Sequence, residues 1–342
     1  MFNSVACNLR VHCNEKDKNI LLNFKQGVTD PSESIEFNSM GSEKCDDLSR
    51  ANPPHLCGKF SSLHYLDLSD NHDILFHNLH WISNLSSLQY LNLDGVHLHK
   101  EIDWLQSVTL LPSLLELHLA GCQLEKIYPS LQYANFTSLQ VLNLAQNHFV
   151  SEFRIWLFNL SSDISHIDLN GNQIHGQLPQ TLPNLRSIKS LVLSGNYLKG
   201  PIPNWLGQLE QLQKLFLSHN FFSGPIPASL GNLSSLLHLN LASNQLNGNL
   251  PENLSQLLNL NSFLVAENSL TGTVSERNLL SYSNLKQLSL NSPNLVFDFD
   301  PEWTPPFQLQ IIRFGNVKDK LPEWLFTEFP KTSNHCRLNR FV

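Results

Sequence analysis

The residues with chemical potential are fifteen histidines, six cysteines and five N-x-S/T sequons. His72, His77 and His80 fall close together, as do His97 and His99. Imidazoles can hold zinc or copper, but spacings of two and three residues in loops do not fix them on one face of an element. No metal site is expected. The cysteines stand at positions 7, 13, 45, 57, 122 and 336, with no C-x-x-C pair to suggest structural zinc. There is no G-x-S-x-G, no H-E-x-x-H, and none of the V-A-I-K, H-R-D or D-F-G elements of a kinase. The chain is therefore expected to carry no catalytic residue and to need no cofactor. The sequons are Asn84, Asn135, Asn159, Asn232 and Asn253, and four of them read N-L-S. They are the candidate glycosylation sites.

Composition narrows the classes further. The net charge is −7, so no basic field is available to hold nucleic acid. No apolar run approaches the roughly 20 residues of a membrane span. The start, MFNSVACNLRVHC, is broken by polar residues and does not read as a signal peptide, which suggests a true start upstream of Met1. Length alone, at 342 residues, would suggest about two domains. Leu accounts for 65 residues and Asn for 37, however, and that pairing points to a repeat.

The repeat is L-x-x-L-x-L-x-x-N. It begins at Leu63, Leu88, Leu114, Leu139, Ile164, Ile188, Leu212, Leu236, Leu260, Leu285 and Leu309, giving eleven units. Their ninth positions are Asn71, Val96, Cys122, Asn147, Asn172, Asn196, Asn220, Asn244, Asn268, Pro293 and Val317, spaced by 24 to 26 residues. The central L-x-L puts two apolar side chains on one face of a short strand. One such strand cannot bury its face alone, so neighbouring coils must stack into a parallel sheet over a continuous core. The ninth-position Asn has donors and an acceptor for the turn backbone. Cys122 can replace it as a small reduced turn residue, whereas irregular turns are expected at Val96, Pro293 and Val317. The fold class is α/β: a curved solenoid with strands on its concave side and loops or short 3₁₀ and α turns on its convex side. The six tryptophans all lie outside the L-x-L strands and read as convex-side packing.

With leucines inward, the alternate residues face out on the concave sheet. The candidate ligand-binding residues are Tyr65, Asp67, Tyr90, Asn92, Glu116, His118, Asn143, His166, Asp168, Val192, Phe216, His238, Asn240 and Leu264. Lys189 and Lys214 flank them. Val192, Phe216 and Leu264 are outward apolar residues with no core reason, which makes them candidate contacts.

Several segments extend the unit as L-x-G-x-I-P-x-x-L-G. They are LKGPIPNWLG at 198–207 and FSGPIPASLG at 222–231, with IHGQLP at 174–179 and LNGNLP at 246–251 as variants. On these residues the chain resembles the leucine-rich repeat receptor-like proteins of plants, in a truncated form. The segment CNEKDKNILLNFK at 13–25 resembles the amino-terminal cap of that family. The resemblance implies residues 1–12 without assignment, a degenerate cap over 13–58, repeats over 59–326 and an uncapped tail over 327–342. It makes Cys13, Cys45 and Cys57 disulfide candidates, with Cys13–Cys45 and Cys45–Cys57 as competing pairings. It implies a ligand-recognition ectodomain for a peptide or protein, in defence or developmental signalling. A separate receptor kinase would be its partner, on the extracellular side of the plasma membrane or secreted. Two alternatives stand beside this: an inhibitor of a cell-wall-degrading enzyme, similar to the polygalacturonase inhibitors, and a truncated product without function.

Overall fold

The computed structural model describes residues 28–29, 63–72, 75–76, 79–125, 136–152, 161–179, 185–300 and 302–314. The chain divides into two compact units, Met1–Phe149 and Val150–Val342. In the first, the strands Tyr65–Asp67, Tyr90–Asn92, Glu116–His118 and Val141–Asn143 pair in parallel, each one coil from the next. In the second, the ladder runs through His166–Asp168, Ser190–Val192, Lys214–Phe216, His238–Asn240, Ser262–Leu264, Gln287–Ser289 and Ile311–Arg313. Four and seven strands account for the eleven L-x-L segments read from the sequence. The register is that of the repeat: Leu191, Leu215, Leu239, Phe263, Leu288 and Ile312 lie side by side and are buried.

The first nine strands of the repeat end in the same turn. From Asp70 to Glu267, the eighth residue of nine consecutive units has a left-handed backbone, with φ between 53° and 78°. That conformation is costly for residues other than Gly, and the ninth-position Asn offsets the cost. Asn196, Asn220, Asn244 and Asn268 each donate to carbonyls of their own coil and of the coil before, and accept a backbone N–H from that earlier coil. Cys122 is reduced and buried, and its Sγ donates to the Leu93 carbonyl over 3.0 Å.

The irregular turn expected at Val96 does not occur. Gly95 takes the left-handed conformation at no steric cost, and the Val96 methyl groups fill the buried place of the missing amide. At Pro293 the turn does change. Ser292 is not among the left-handed residues, and its buried Oγ has no hydrogen-bond partner among the described residues. Val317 lies outside the described residues.

In the second unit the coils return through a six-stranded parallel sheet, from His175–Gly176 to Asn294–Phe297. They continue into the 3₁₀ turns Asn204–Gln208, Ala228–Asn232, Glu252–Gln256 and Glu276–Asn278. The L-x-G-x-I-P glycines Gly176, Gly200, Gly224 and Gly248 all have positive φ, as the turn requires. The prolines Pro203, Pro227 and Pro251 then set an extended residue just before a 3₁₀ turn. Trp205 is buried and its indole N–H donates to the Pro179 carbonyl over 2.7 Å. In the first unit Trp104, within the helix Trp104–Thr109, is buried and packs 5.9 Å from the Phe149 ring. Both fit the packing role read from the sequence.

Of the segment assigned to a cap, Val28–Thr29 is described, and it pairs antiparallel with Leu75–Phe76. Cys7, Cys13, Cys45, Cys57 and Cys336, the tail at 327–342, and the sequons Asn135 and Asn159 lie outside the described residues.

Candidate ligand-binding face

The outward positions of the first unit form two rows. One runs Tyr65, Tyr90, Glu116, Val141, and the other Asp67, Asn92, His118, Asn143. Parallel pairing one coil apart brings the two tyrosines face to face, with ring centroids 4.2 Å apart and planes 8° apart. The His118 ring lies 5.3 Å from that of Tyr90. His118 Nε2 stands 3.3 Å from Glu116 Oε2. The Tyr65 hydroxyl donates to Asp67 Oδ2, and Asn92 Nδ2 donates to the Tyr90 hydroxyl. Burial, then the neighbouring Tyr65 and the charge of Asp67, push the Tyr90 hydroxyl up to about 12.

In the second unit the rows are His166, Ser190, Lys214, His238, Ser262, Gln287 and Asp168, Val192, Phe216, Asn240, Leu264, Ser289. Lys214 carries its ammonium 4.8 Å from the Phe216 ring centroid. Burial raises the Asp168 carboxyl, against the Asn170 N–H it accepts and the Lys214 charge. Burial first and Lys214 second lower His238. Lys214 therefore sits among Phe216, Asp168 and His238. Sequence reading placed it at the margin of the candidate set. Its signal was a cation at the row position that its neighbours fill with histidine and serine.

The structure gives several candidates a second task. Asp67, Asn92, Asn143, Asp168 and Asn240 each accept, through Oδ1, the backbone N–H two residues ahead. These side-chain turns end the strand before the left-handed residue. One side of each group thus holds the fold, whatever the other side meets. Val192 is 7% exposed, and its strand lies between those carrying Asp168 and Phe216. Phe216 and Leu264 remain half-buried, and Tyr65 is 37% exposed. Among the described residues no cluster of three or more His, Cys, Asp or Glu could hold a metal. No described helix is long and apolar enough to cross a membrane.

Three-residue parallel strands, one per coil, with asparagine-held turns and 3₁₀ returns, define a leucine-rich repeat protein. The family model described as a leucine-rich repeat region matches residues 113–338, and the chain belongs to that family. Its sequence is similar to two receptor-like proteins of Solanum lycopersicum. It is 38% identical to EIX1 over 135 residues, covering 38% of this chain and 13% of EIX1. It is 37% identical to EIX2 over 93 residues, covering 26% of this chain and 9% of EIX2. The chain thus matches only a small part of the length of either relative. The fold is shared with the Arabidopsis receptor kinase HAESA, solved with the peptide hormone IDA and the co-receptor SERK1. That likeness has a TM-score of 0.65 at 24% identity, over 91% of this chain and 60% of HAESA. It is shared also with the plant peptide hormone receptor RGFR1, solved with RGF2. There the TM-score is 0.60 at 24% identity, over 72% of this chain and 43% of RGFR1.

Proposed function

We propose that this chain is the ligand-recognition part of a plant receptor-like protein, binding a peptide or small protein on its outward strand positions without catalysis. The supporting observation is the content of those positions. Tyr65, Tyr90, His118, Lys214, Phe216 and Leu264 are aromatic, ionisable or apolar, are partly open to solvent, and lie outside the leucine core. Rigid aromatic anchors beside charged groups are what a recognition surface uses. The similarity to EIX1 and EIX2 supports the receptor-like role, at the extracellular side of the plasma membrane and in defence or developmental signalling. The fold shared with HAESA, solved with a peptide and a co-receptor, supports a peptide ligand and a partner receptor kinase. The exposure of Asn232 and Asn253 on 3₁₀ turns supports glycosylation there.

Selection of a displayed random-peptide library on the purified chain tests this reading. Peptides should be retained whose binding is lost on Phe216→Asp or Tyr90→Leu while the circular dichroism spectrum stays unchanged. Retention unaffected by both variants would remove the strand face from the function. The same preparation should leave a fungal endopolygalacturonase uninhibited.

A further inference from the structure

We propose that the outward face of the first unit is a subsite for a cationic side chain, arginine or lysine, of the bound peptide. This rests on the reading that the strand face binds a peptide, and it names the chemistry of one part of that face.

Two independent features converge there. The first is the stack. Tyr65 and Tyr90 lie face to face at 4.2 Å and continue to His118 at 5.3 Å, so the outward surface of three successive coils is aromatic. Tyr90 has Tyr65 on one face and His118 against it, so the electron-rich ring face left to attract a guanidinium or ammonium group is that of Tyr65, which is 37% exposed. The second is the charge around it. The described residues of this unit hold seven carboxylates, namely Asp67, Asp70, Asp94, Glu101, Asp103, Glu116 and Glu125, against Lys100 as the one lysine or arginine. Asp67 and Glu116 sit in the same rows as the rings, and Asp94 follows two residues after Asn92.

These carboxylates feel one another. Burial first, then the charges of Asp67 and Asp70, raise Asp94, against the Ala120 N–H and His118. Glu101 is excluded from the surface because it is buried and accepts the backbone N–H groups of Leu79 and Asp103. The remaining field is negative beside an aromatic platform, which favours a cation over an anion. An uncharged apolar side chain would use the rings but not Asp67, Asp94 or Glu116.

The variants can remove charge while keeping the backbone bonds of the turns. Asp67 Oδ1 accepts the Ser69 N–H, and Asn92 makes the same bond one coil later with an amide oxygen. Asp67→Asn therefore keeps the turn. Asp94→Asn likewise keeps an acceptor for the Ala120 N–H. Adding Glu116→Gln gives a triple variant lacking three charges. A charge-matched control replaces exposed carboxylates of the other unit: Glu210→Gln, Glu252→Gln and Asp298→Asn.

The test uses peptides selected from the displayed library on the full chain, measured by titration calorimetry. The expected result is an Arg or Lys at a fixed place in the selected peptides. Replacing it with citrulline or norleucine should weaken binding at least tenfold. The Asp67/Asp94/Glu116 variant should show a loss of similar size, and the charge-matched control should not. Peptides that are lost on Phe216→Asp or Tyr90→Leu but show no cation preference, or that bind the triple variant unchanged, overturn the inference and leave peptide binding standing. Equal losses on the triple variant and its control overturn it too, because net charge alone would then explain the effect. A library yielding no binder refutes both readings.

Discussion

Truncating one ninth-position amide, Asn220→Ala, tests whether these side chains hold one coil to the next. Asn220 is 6% exposed. Its Nδ2 donates to the carbonyls of Leu193, Leu217 and Ser218 at 2.9, 3.2 and 3.2 Å, and its Oδ1 accepts the Leu198 N–H at 3.0 Å. Four lost bonds overstate the damage, because the carbonyls are shared. Leu193 O keeps Asn196, Leu217 O keeps Asn244, and Ser218 O keeps the Gly195 N–H. The Leu198 N–H is the group left without its partner. An orphaned buried donor costs about 1–3 kcal/mol. The small void left by truncation adds to this, and the expected loss is about 2–4 kcal/mol. Urea unfolding followed by circular dichroism measures the total, and amide exchange at Leu198 localises it. Asn220→Asp sharpens the test. It keeps an acceptor for Leu198 but turns a carboxylate oxygen toward three carbonyls, so it should be worse than Ala at neutral pH and recover on acidification. A loss below about 0.5 kcal/mol, with Leu198 as protected as before, would refute the linkage.

Four further outcomes are expected. Gly207→Ala would place a Cβ 2.1 Å from the Ser229 carbonyl oxygen of the next coil, so it should cost about 1–3 kcal/mol by overpacking, read as a lowered urea midpoint. Asp168→Asn keeps the acceptor for Asn170 and removes a half-buried charge. Because the folded Asp168 carboxyl is raised, wild-type stability is lost as pH rises through that value, so the gain in Tm from the variant should appear at pH 7 and fade towards pH 3. His238 is lowered, so its contribution is present above the ordinary histidine value and is lost as pH falls through the folded one. Lys214→Met should move its imidazole resonance titration upward. The Cys122 thiol, pushed up to about 12 by burial, should resist iodoacetamide at pH 8 in the native chain and label after denaturation, read by peptide mass mapping.

The fold was legible because its period is coarse and repeated. A leucine at a wrong place in one unit is outvoted by ten others, and the L-x-L spacing alone assigns the inward face. The turn was less legible. Nothing in L-x-x-L-x-L-x-x-N says that the eighth residue must be left-handed, and residues as different as Asp70, Gln146, His219 and Glu267 occupy it. The conformation is imposed by the next residue's amide and by the coil before, so it belongs to the stack rather than to the unit. Val96 makes the same point from the other side: without an amide the turn survives, because Gly95 needs no compensation there.

The candidate face was harder, for a related reason. Alternation assigns a residue to the outward side but does not say how much of it the fold already uses. Asp67, Asn92, Asn143, Asp168 and Asn240 looked like free polar contacts, yet each spends an oxygen on its own turn. Tyr65 and Tyr90 looked like isolated aromatics 25 residues apart, and become one platform only when parallel pairing stacks them. In a repeat protein, outward residues at equal positions in neighbouring units are neighbours in space. Reading them as columns would have found the Tyr65–Tyr90 pair before any coordinates. The same reading would have set Lys214 beside His238, where its charge opposes protonation of the imidazole. A column therefore carries electrostatic information that a single repeat does not.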